Sequence, residues 1–560
     1  MIDRSHAQPL GDTAVVVRLA ASPPAAAAAR AAALAAAIRR HAPPGIIDVV
    51  PALDTVTVFF AEPRMADHEN YIDLLERIVE TVPLEAEAAV GTLHEIPVAY
   101  GGDDSPDFDA VCTRHHLERA EFIDLHTRPD YVVEAIGFTP GFPYLGGLPA
   151  ELSTPRRETP RPLVPAGSVG IGGGQTGIYS CPTPGGWHIV GRTDVRLFDA
   201  DREPPSLLRT GDRVRFVERA VAKQSEPCVA KRIPATQAGP WVGPALRIGR
   251  PGLMTTIQDL GRPGHRASGV PLGGAADPLS LRLANLIVGN DETAAGLECT
   301  LVGPELTFEC DAVVALCGAD FSGLPRSRPI SVAAGETISL GHARHGCRGA
   351  LAIAGGIQTQ PCLGSRSTYV PALLGGLTGE LLREGDRIPI DAVAPLVCGS
   401  WSVSPDLTPL ASAESGICTL RYIPHAAADH GTSLAGTTWR TSSRSDRMGV
   451  RLEGSSCVNG RGDRTSAAVV PGTVQLPPDG QPIILLADAQ TIGGYDVAGH
   501  VITADLRLAA QLRPGDRVTF TAVTLATAHE ALGEQEAAVD ALRQTLAGRV
   551  CHRDARRTPA

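Results

Sequence analysis

Val164-Pro165-Ala166-Gly167-Ser168-Val169, followed by Gly172-Gly173-Gly174-Gln175 and then Gly185-Gly186-Trp187, returns in the second half of the chain. There it reads Val470-Pro471-Gly472-Thr473-Val474, then Asp479-Gly480-Gln481, then Gly493-Gly494-Tyr495. In both copies a Pro/Gly turn leads into a β-branched strand, a glycine loop presents a glutamine, and a Gly-Gly pair precedes a large aromatic. A closing phrase follows each copy, Leu208-Arg-Thr-Gly211-Asp212-Arg-Val and Leu512-Arg-Pro-Gly515-Asp516-Arg-Val. The phrase occurs a third time as Leu382-Arg-Glu-Gly385-Asp386-Arg-Ile. Recurrence at such long spacing excludes a short-period solenoid and implies duplicated domains. Three closing hairpins predict three related β-units.

Composition fits that reading. A chain of 560 residues holds several domains with sizeable cores. Its 60 Gly and 46 Pro follow no triplet period, so the chain is turn-dense and globular rather than collagen-like. A net charge of −11 argues against nucleic acid as a partner. No apolar run is long enough for a membrane span, since Arg30, Arg39 and Arg40 interrupt the alanine-rich stretch. The opening Met-Ile-Asp-Arg-Ser-His lacks the layout of a secretory signal, so a cytoplasmic location is expected.

Cysteine and lysine usage exclude further classes. The twelve cysteines form no CxxC pair and are read as reduced core thiols. Cys310, Cys317, His342, His345 and Cys347 are the one cluster to weigh as a metal site. Cys310 and Cys317 stand at an odd separation on one apparent strand and point to opposite faces, so no metal centre is expected. Lysine occurs only at positions 223 and 231, in a polar stretch that reads as a linker. A Walker loop, a Schiff-base lysine and a biotinylated carrier lysine are therefore all missing from any ordered motif. Arg461-Gly462-Asp463 spells an adhesion tripeptide by chance and carries no weight.

The chain divides into segments by period and composition. Residues 1–92 alternate strand and helix; with a strand near Leu93–Ala99 they give the order βαββαβ of a small ferredoxin-like layer. Residues 93–218 form the first barrel-like unit, 219–244 the linker, 245–395 and 396–525 two further β-units, and 526–560 a closing helix and tail. The loop Phe138-Thr-Pro-Gly141-Phe142-Pro-Tyr144 is too rich in Pro and Gly for helix or central strand. Its rings either plug a barrel mouth or line a pocket.

Gly137-Phe-Thr-Pro-Gly-Phe-Pro-Tyr-Leu-Gly-Gly-Leu-Pro149, with Val164-Pro-Ala-Gly-Ser-Val-Gly-Ile171 and Pro184-Gly-Gly-Trp-His-Ile-Val-Gly-Arg-Thr193, resembles the allophanate hydrolase subunit 1 family. Gly252-Leu-Met-Thr-Thr-Ile-Gln-Asp-Leu-Gly-Arg262, with Leu363-Gly-Ser-Arg-Ser-Thr-Tyr369, Ser445-Asp-Arg-Met-Gly449 and Leu476-Pro-Pro-Asp-Gly-Gln-Pro482, resembles the subunit 2 family. The two regions cover nearly the whole chain in the order of a fusion. These families also resemble the B and C subunits of bacterial ATP-dependent 5-oxoprolinase, the carboxyltransferase region of urea carboxylase, and the Kip pair that regulates a sporulation histidine kinase. The resemblance implies a mainly β protein with an α/β N-terminal domain and three cyclophilin-like β-barrels. It departs from the family's usual residues at His265, Val450, Ala489 and Ile492, and Ser322–Ser331 and Pro424–Thr432 look shortened. An arginine missing at 489 weakens any phosphate role for that loop.

Two amide chemistries follow from the resemblance. Opening of 5-oxoproline needs ATP with magnesium, cations for phosphate and donors for a developing oxyanion. Carboxyl transfer needs carboxybiotin on another chain, a carboxylate base and side chains that recognise an amide. The candidate bases are Asp259, Asp446 and Asp488. Candidate substrate contacts are Phe142, Tyr144, Gln175, Trp187, Arg192, Gln258, Arg262, Arg366, Ser367, Arg447, Gln481, Gln490 and Tyr495. Ser365, Arg366, Ser367 and Thr368 form a hydroxyl and guanidinium grouping suited to a carboxylate or phosphate. Gly172, Gly174 and Gly177 match G-x-G-x-x-G, but Tyr179-Ser-Cys-Pro-Thr-Pro184 cannot open a helix, so the dinucleotide reading fails. His188 is read as strand packing rather than an acid or base. The leading expectation is a fused B/C component of an ATP-dependent 5-oxoprolinase, working with a separate A subunit on a small amide. The alternatives are a biotin-dependent carboxyltransferase component and a non-catalytic kinase regulator. If the halves face each other, Gln175 with Trp187 and Gln481 with Tyr495 would flank one shared site.

Overall fold

The three closing phrases share one local geometry. In the computed structural model Gly211, Gly385 and Gly515 have φ of 92°, 87° and 92°, a region open to glycine and costly once a Cβ is present. The aspartate after each glycine folds back on the chain. Asp212, Asp386 and Asp516 accept the amide N–H of Arg209, Arg383 and Arg513 at 2.9, 2.7 and 2.8 Å. A strand starts at the next residue each time.

The structure describes residues 7–19, 24–41, 45–61, 65–81, 91–220, 241, 243–391, 396–397, 401–404, 407, 416–425, 434–455, 466–547 and 550–551. The linker with Lys223 and Lys231, the Arg461-Gly-Asp463 tripeptide, most of Pro424–Thr432 and the final tail lie outside the described residues.

The N-terminal sheet is antiparallel, built from β1 (Ala7–Leu10), β2 (Ala14–Arg18), β3 (Ile46–Ala52) and β4 (Thr55–Phe60) in the order β1-β2-β4-β3. It packs against α1 (Pro24–His41) and α2 (Met65–Thr81). Proline at the first position of α1 and Arg39, Arg40 and His41 in its last turn suit the two ends of a helix. The strand expected to complete a βαββαβ order pairs with none of these four strands, although Ala52 against Ala135 makes the sheet continuous with the barrel that follows. Instead β5 (Leu93–Tyr100) opens the first barrel, because Ile96, Val98 and Tyr100 face that barrel's core.

Next come α3 (Phe108–His115), α4 (Arg119–Thr127), β6 (Tyr131–Ile136), β7 (Pro143–Gly146), β8 (Arg161–Val164), β9 (Ser168–Gly172), β10 (Gln175–Ile178), β11 (Thr183–Gly185), β12 (His188–Arg192) and β13 (Arg213–Glu218). Seven strands close on themselves as β5-β13-β6-β7-β10-β9-β12. The short pair β8 and β11 lies outside this ring.

The second unit comprises β14 (Ala245–Arg250), β15 (Met254–Gln258), α5 (Pro278–Val288), β16 (Gly296–Thr300), β17 (Glu305–Phe308), β18 (Ala312–Phe321), β19 (Ile330–Val332), β20 (Thr337–Ser339), β21 (Ala343–Ile353) and β22 (Arg387–Pro389). Its four-stranded and five-stranded sheets share one core that includes Leu246, Ile257, Leu297, Phe308 and Leu351. Cys310 packs against that core while Cys317 lies in the opposite layer with α5, as their odd spacing predicts. β23 (Leu396–Val397) follows.

The third unit holds β24 (Ile417–Pro424), β25 (Trp439–Thr441), β26 (Gly449–Glu453), β27 (Ala467–Ala468), β28 (Thr473–Leu476), β29 (Ile483–Leu485), β30 (Ile492–Gly493), β31 (Asp496–Val501), α6 (Thr503–Ala510) and β32 (Arg517–Ala522). It again closes seven strands, β24-β31-β28-β29-β26-β25-β32, with β27 and β30 outside the ring. In both closed barrels the closing strand runs parallel to the first strand, β13 with β5 and β32 with β24. In the open second unit β22 runs antiparallel to β14. α7 (Leu525–Leu546) packs back on α5, where Arg282 bridges Glu292 and Glu536. No helix among the described residues is long and apolar enough to cross a membrane.

The two halves of the chain share cores. Leu10, Val50, Phe59 and Ala135 from the first half pack with Ala468, Val470 and Ile492 from the second. Cys181 and Phe198 pack with Val270, Cys362 and Tyr369. Polar contacts lock the same junction. Asp12 accepts from the N–H and hydroxyl of Thr503 at the start of α6, at 2.8 and 2.7 Å. Asp48 accepts the amide of Arg266, whose guanidinium lies 4.5 Å from the centre of the Phe59 ring.

Candidate functional site

Four loops meet where the halves touch. Gly137–Phe142 of the first barrel approaches Ser268–Gly269 of the second unit, with the Gly141 amide on the Ser268 carbonyl at 2.8 Å. Gly137 also lies against Thr491 and Ile492, so close that a side chain there would overlap Ile492. Gly273 donates to the carbonyl of Ala487, joining the second unit's loop to the third's. Phe138, Leu363 and Leu373, on loops of this junction, hold φ of 65°, 53° and 55°. Non-glycine residues in that region are strained, and such strain concentrates at working sites.

The three candidate bases all hold loops. Asp259 accepts four hydrogen bonds, from the amides of Gly261 and Arg366 and the hydroxyls of Ser365 and Ser367. Of the grouping at 365–368, read as suited to a carboxylate or phosphate, Ser365 and Ser367 thus bind a carboxylate of their own chain. Asp446 caps its own turn, accepting from Met448 N at 2.8 Å and Gly449 N at 3.1 Å. Asp488 is gripped by Arg447 through Nε at 2.8 Å and Nη2 at 3.0 Å.

Arg447 is 6% exposed and also contacts Glu298 and the carbonyl of Gly274. Burial works against its charge, but Asp488 and Glu298 outweigh that and hold the guanidinium firmly protonated. Glu298 takes the amide of Ala276 at 2.7 Å as well. Arg447 is therefore the keystone between the second and third units rather than a free cation. Arg262 is fully buried and donates to the carbonyl of Ser367, while its Nε and Nη1 meet no acceptor among the described residues. Gln258 is likewise interior, donating to Thr256 Oγ1 at 3.0 Å and the carbonyl of Thr368 at 3.1 Å.

The remaining candidates divide by surroundings. Phe142 and Trp187 are packed in one cluster with Tyr179, and Tyr144 meets both edge-on, so these rings are plugs rather than an open lining. Arg192 pairs with Asp104 at 3.1 Å, and Arg366 reaches Gln358 at 3.4 Å. Gln490 leans on Gln475 at 3.5 Å.

The expectation that Gln175 and Gln481 are matched groups is corrected by the structure. Gln481 sits in the longer hairpin between β28 and β29 and bonds both backbone groups of Gly454, at 2.9 and 3.3 Å. Gln175 opens β10 and donates to the Glu134 carboxylate at 2.6 Å. Tyr495 is 39% exposed where Trp187 is buried. The echo therefore reflects shared barrel architecture, and what meets at the junction is Gly137–Phe142 with Thr491–Ile492.

Residues missed from the sequence include Glu134, Glu298, Arg348 and Tyr369, all buried or nearly so. Glu134 had a signal: it is the one charge in the apolar strand Tyr131-Val-Val-Glu-Ala-Ile136. Glu298, Arg348 and Tyr369 lie in ordinary-looking strand or loop sequence. A cleft of about 260 Å³ lies away from the junction, lined by His94, Arg202, Arg209 and Asp212. Arg202 already bonds the carbonyls of Leu197, Pro204 and Pro205 there, so the cleft adds little to the site. Among the described residues no three His, Cys, Asp or Glu side chains are placed to hold a metal ion.

Comparison with known proteins agrees with this two-part architecture. Residues 5–208 match the carboxyltransferase domain, subdomain C and D, and residues 268–522 match subdomain A and B. The chain is 39% identical over 227 residues to the 5-oxoprolinase B subunit of Bacillus subtilis, covering 39% of this chain and 94% of that protein. It is 37% identical over 314 residues to the 5-oxoprolinase C subunit of Escherichia coli K12, covering 52% of this chain and 95% of that protein. Urea amidolyase of Saccharomyces cerevisiae is 30% identical over 324 residues, covering 53% of this chain and only 18% of that larger protein. The crystal structure of TTHA0988 superposes with a TM-score of 0.79 at 35% identity, covering 91% of this chain and 99% of that one. The chain belongs to the carboxyltransferase domain family, with the B-like and C-like parts fused in one polypeptide.

Proposed function

We propose that this chain is the fused B/C component of an ATP-dependent 5-oxoprolinase, opening 5-oxo-L-proline to L-glutamate with a separate A subunit. One observation carries this reading: each half matches, nearly end to end, a different subunit of the same enzyme. Fusion supports it physically, since the shared cores at the junction make one body of two parts that covalent linkage keeps at high effective concentration.

Two groups weighed for phosphate are already engaged within the chain. Gly173 exchanges backbone hydrogen bonds with Thr154, the Trp187 ring covers Gly172, and Arg447 is neutralised by two carboxylates. On this reading the nucleotide belongs to the A subunit and the amide to this chain. Mixing the purified chain with an A subunit, ATP and 5-oxoproline should release glutamate. Absence of product with several A subunits would overturn the reading.

A carboxyltransferase component is the second reading, favoured by the match of both halves to carboxyltransferase subdomains and by the urea amidolyase relatives. It expects transfer from carboxybiotin carried on another chain.

A further inference from the structure

Among the described residues, the buried carboxylates follow a rule with one exception. Asp12, Asp48, Asp107, Asp259, Asp277, Glu298 and Asp505 each accept a backbone amide, and Asp488 has Arg447. Glu134 is just as buried, at 7% exposed, yet its hydrogen-bond partner among the described residues is the neutral Nε2 of Gln175, with neither an amide nor a cation on it. Glu134 Oε1 is not among the fully enclosed polar atoms that lack a partner, so one oxygen is held by Gln175 while the other reaches the surface, which makes the exception informative.

The surroundings are shaped around it. Strand β6 has a register break between Val133 and Ala135, the kind of bulge that re-aims a side chain next to a working site. Glu134 is the extra residue at that break, and Gly146 of β7, which pairs with Val132, lies against it, so that a methyl group there would overlap Glu134 Oε1. Continuing the pairing Gly177↔Tyr144 and Thr176↔Leu145 sets Gln175 opposite Gly146 and Gly174 opposite Gly147. Gly147, Gly173 and Gly174 have open space where their side chains would be, and Gly147 and Gly174 are solvent-exposed. The carboxylate thus lies beside an exposed glycine edge, where no side chain stands over its outer oxygen, an opening in that sense. Burial raises its pKa from the ordinary glutamate value, and the bond from Gln175 only partly offsets this.

Because Gln175 uses an N–H on Glu134, its own Oε1 remains an acceptor. The pair presents two acceptors and no positive charge, a match for a neutral N–H donor. We propose that Glu134, positioned by Gln175, receives the amide N–H of a small lactam or ureido ligand at this opening. The assignment of the ligand as an amide rests on the function proposed above. Glu134 would be the ligand contact and Gln175 the positioning residue.

The test compares binding of a lactam and its N-methyl analogue to the full chain by calorimetry, with thermal unfolding as the control for folding. Wild-type protein should prefer the N–H lactam by about 10- to 100-fold, the cost of leaving a buried acceptor unmet. In Glu134→Gln the carboxamide oxygen takes the Gln175 proton and its NH2 turns toward the ligand, donor against donor. That variant should melt at or above the wild-type temperature and lose the preference. Gln175→Leu should retain a weakened preference, because the carboxylate remains but is no longer aimed. Equal binding of both lactams by wild type, or an unchanged preference in Glu134→Gln, would overturn the proposal. The assay needs no A subunit, so a chain that binds lactams with this selectivity but releases no glutamate refutes the 5-oxoprolinase reading alone.

Discussion

Arg447 and Glu134 are two buried charges handled in opposite ways. Around Arg447, two carboxylates and a carbonyl satisfy the guanidinium, and the cluster ties the second unit to the third. Around Glu134, one carboxamide is all that meets the carboxylate among the described residues. A compensated charge holds structure, since removing one member leaves the others stranded. A buried carboxylate with one neutral partner and an oxygen at the surface leaves a place for a ligand to complete. The difference separates scaffold from site more sharply than residue type does, because both places are rich in the polar residues that chemistry uses.

The contrast gives a graded set of outcomes. Arg447→Met should be the most damaging, lowering unfolding stability by about 3–5 kcal/mol in denaturant titrations because Glu298 and Asp488 lose their cation. A loss under about 1 kcal/mol would mean the cluster is not the keystone. Asp259→Ala should follow at about 3 kcal/mol, since the loops at 259–262 and 365–368 lose their common anchor. Protease sensitivity near 365–368 should rise with it.

The rule extends to histidine. His126 in the first barrel bonds Tyr100 and Thr176, and His500 in the third unit bonds Thr473 beside the His425 ring, so among the described residues each buried ring has hydroxyl hydrogen-bond partners and no carboxylate. Burial pushes both down to about 3. Their folded values lie below the unfolded value of about 6.5, so their neutral forms are free of penalty above that pH. As pH falls below about 6.5 the unfolded chain gains protons the folded chain cannot accept. Stability should then drop by up to about 1.4 kcal/mol per pH unit for each histidine. Replacing both with Gln should flatten the melting-temperature profile between about pH 6 and pH 4. Glu134→Gln should have the smallest effect on stability, between zero and a gain of about 1 kcal/mol, since it removes an unpaired buried charge.

Much of the fold was legible because barrel turns carry local chemistry. Gly211, Gly385 and Gly515 need positive φ, and Asp212, Asp386 and Asp516 fold back on the backbone, so the phrase marks each unit's last strand wherever it occurs. The site was less legible, for a physical reason. Asp259, Asp446 and Arg447 stand in polar, glycine-rich loops, and such loops need internal anchors as much as they serve ligands. Sequence spacing cannot reveal that Ser365 and Ser367 are already occupied by Asp259. Nor does it show that Gln175 faces Glu134 while Gln481 faces Gly454, because the partner in each case comes from a distant strand.

The most direct test places the two amide chemistries side by side on one preparation of the full chain. With an A subunit, ATP and 5-oxoproline, glutamate should accumulate in step with ATP hydrolysis, while carboxybiotin supplied with urea or a lactam should lose no carboxyl group beyond its spontaneous decay. Chain-dependent consumption of carboxybiotin without glutamate formation would contradict the account and make this fusion a carboxyltransferase component.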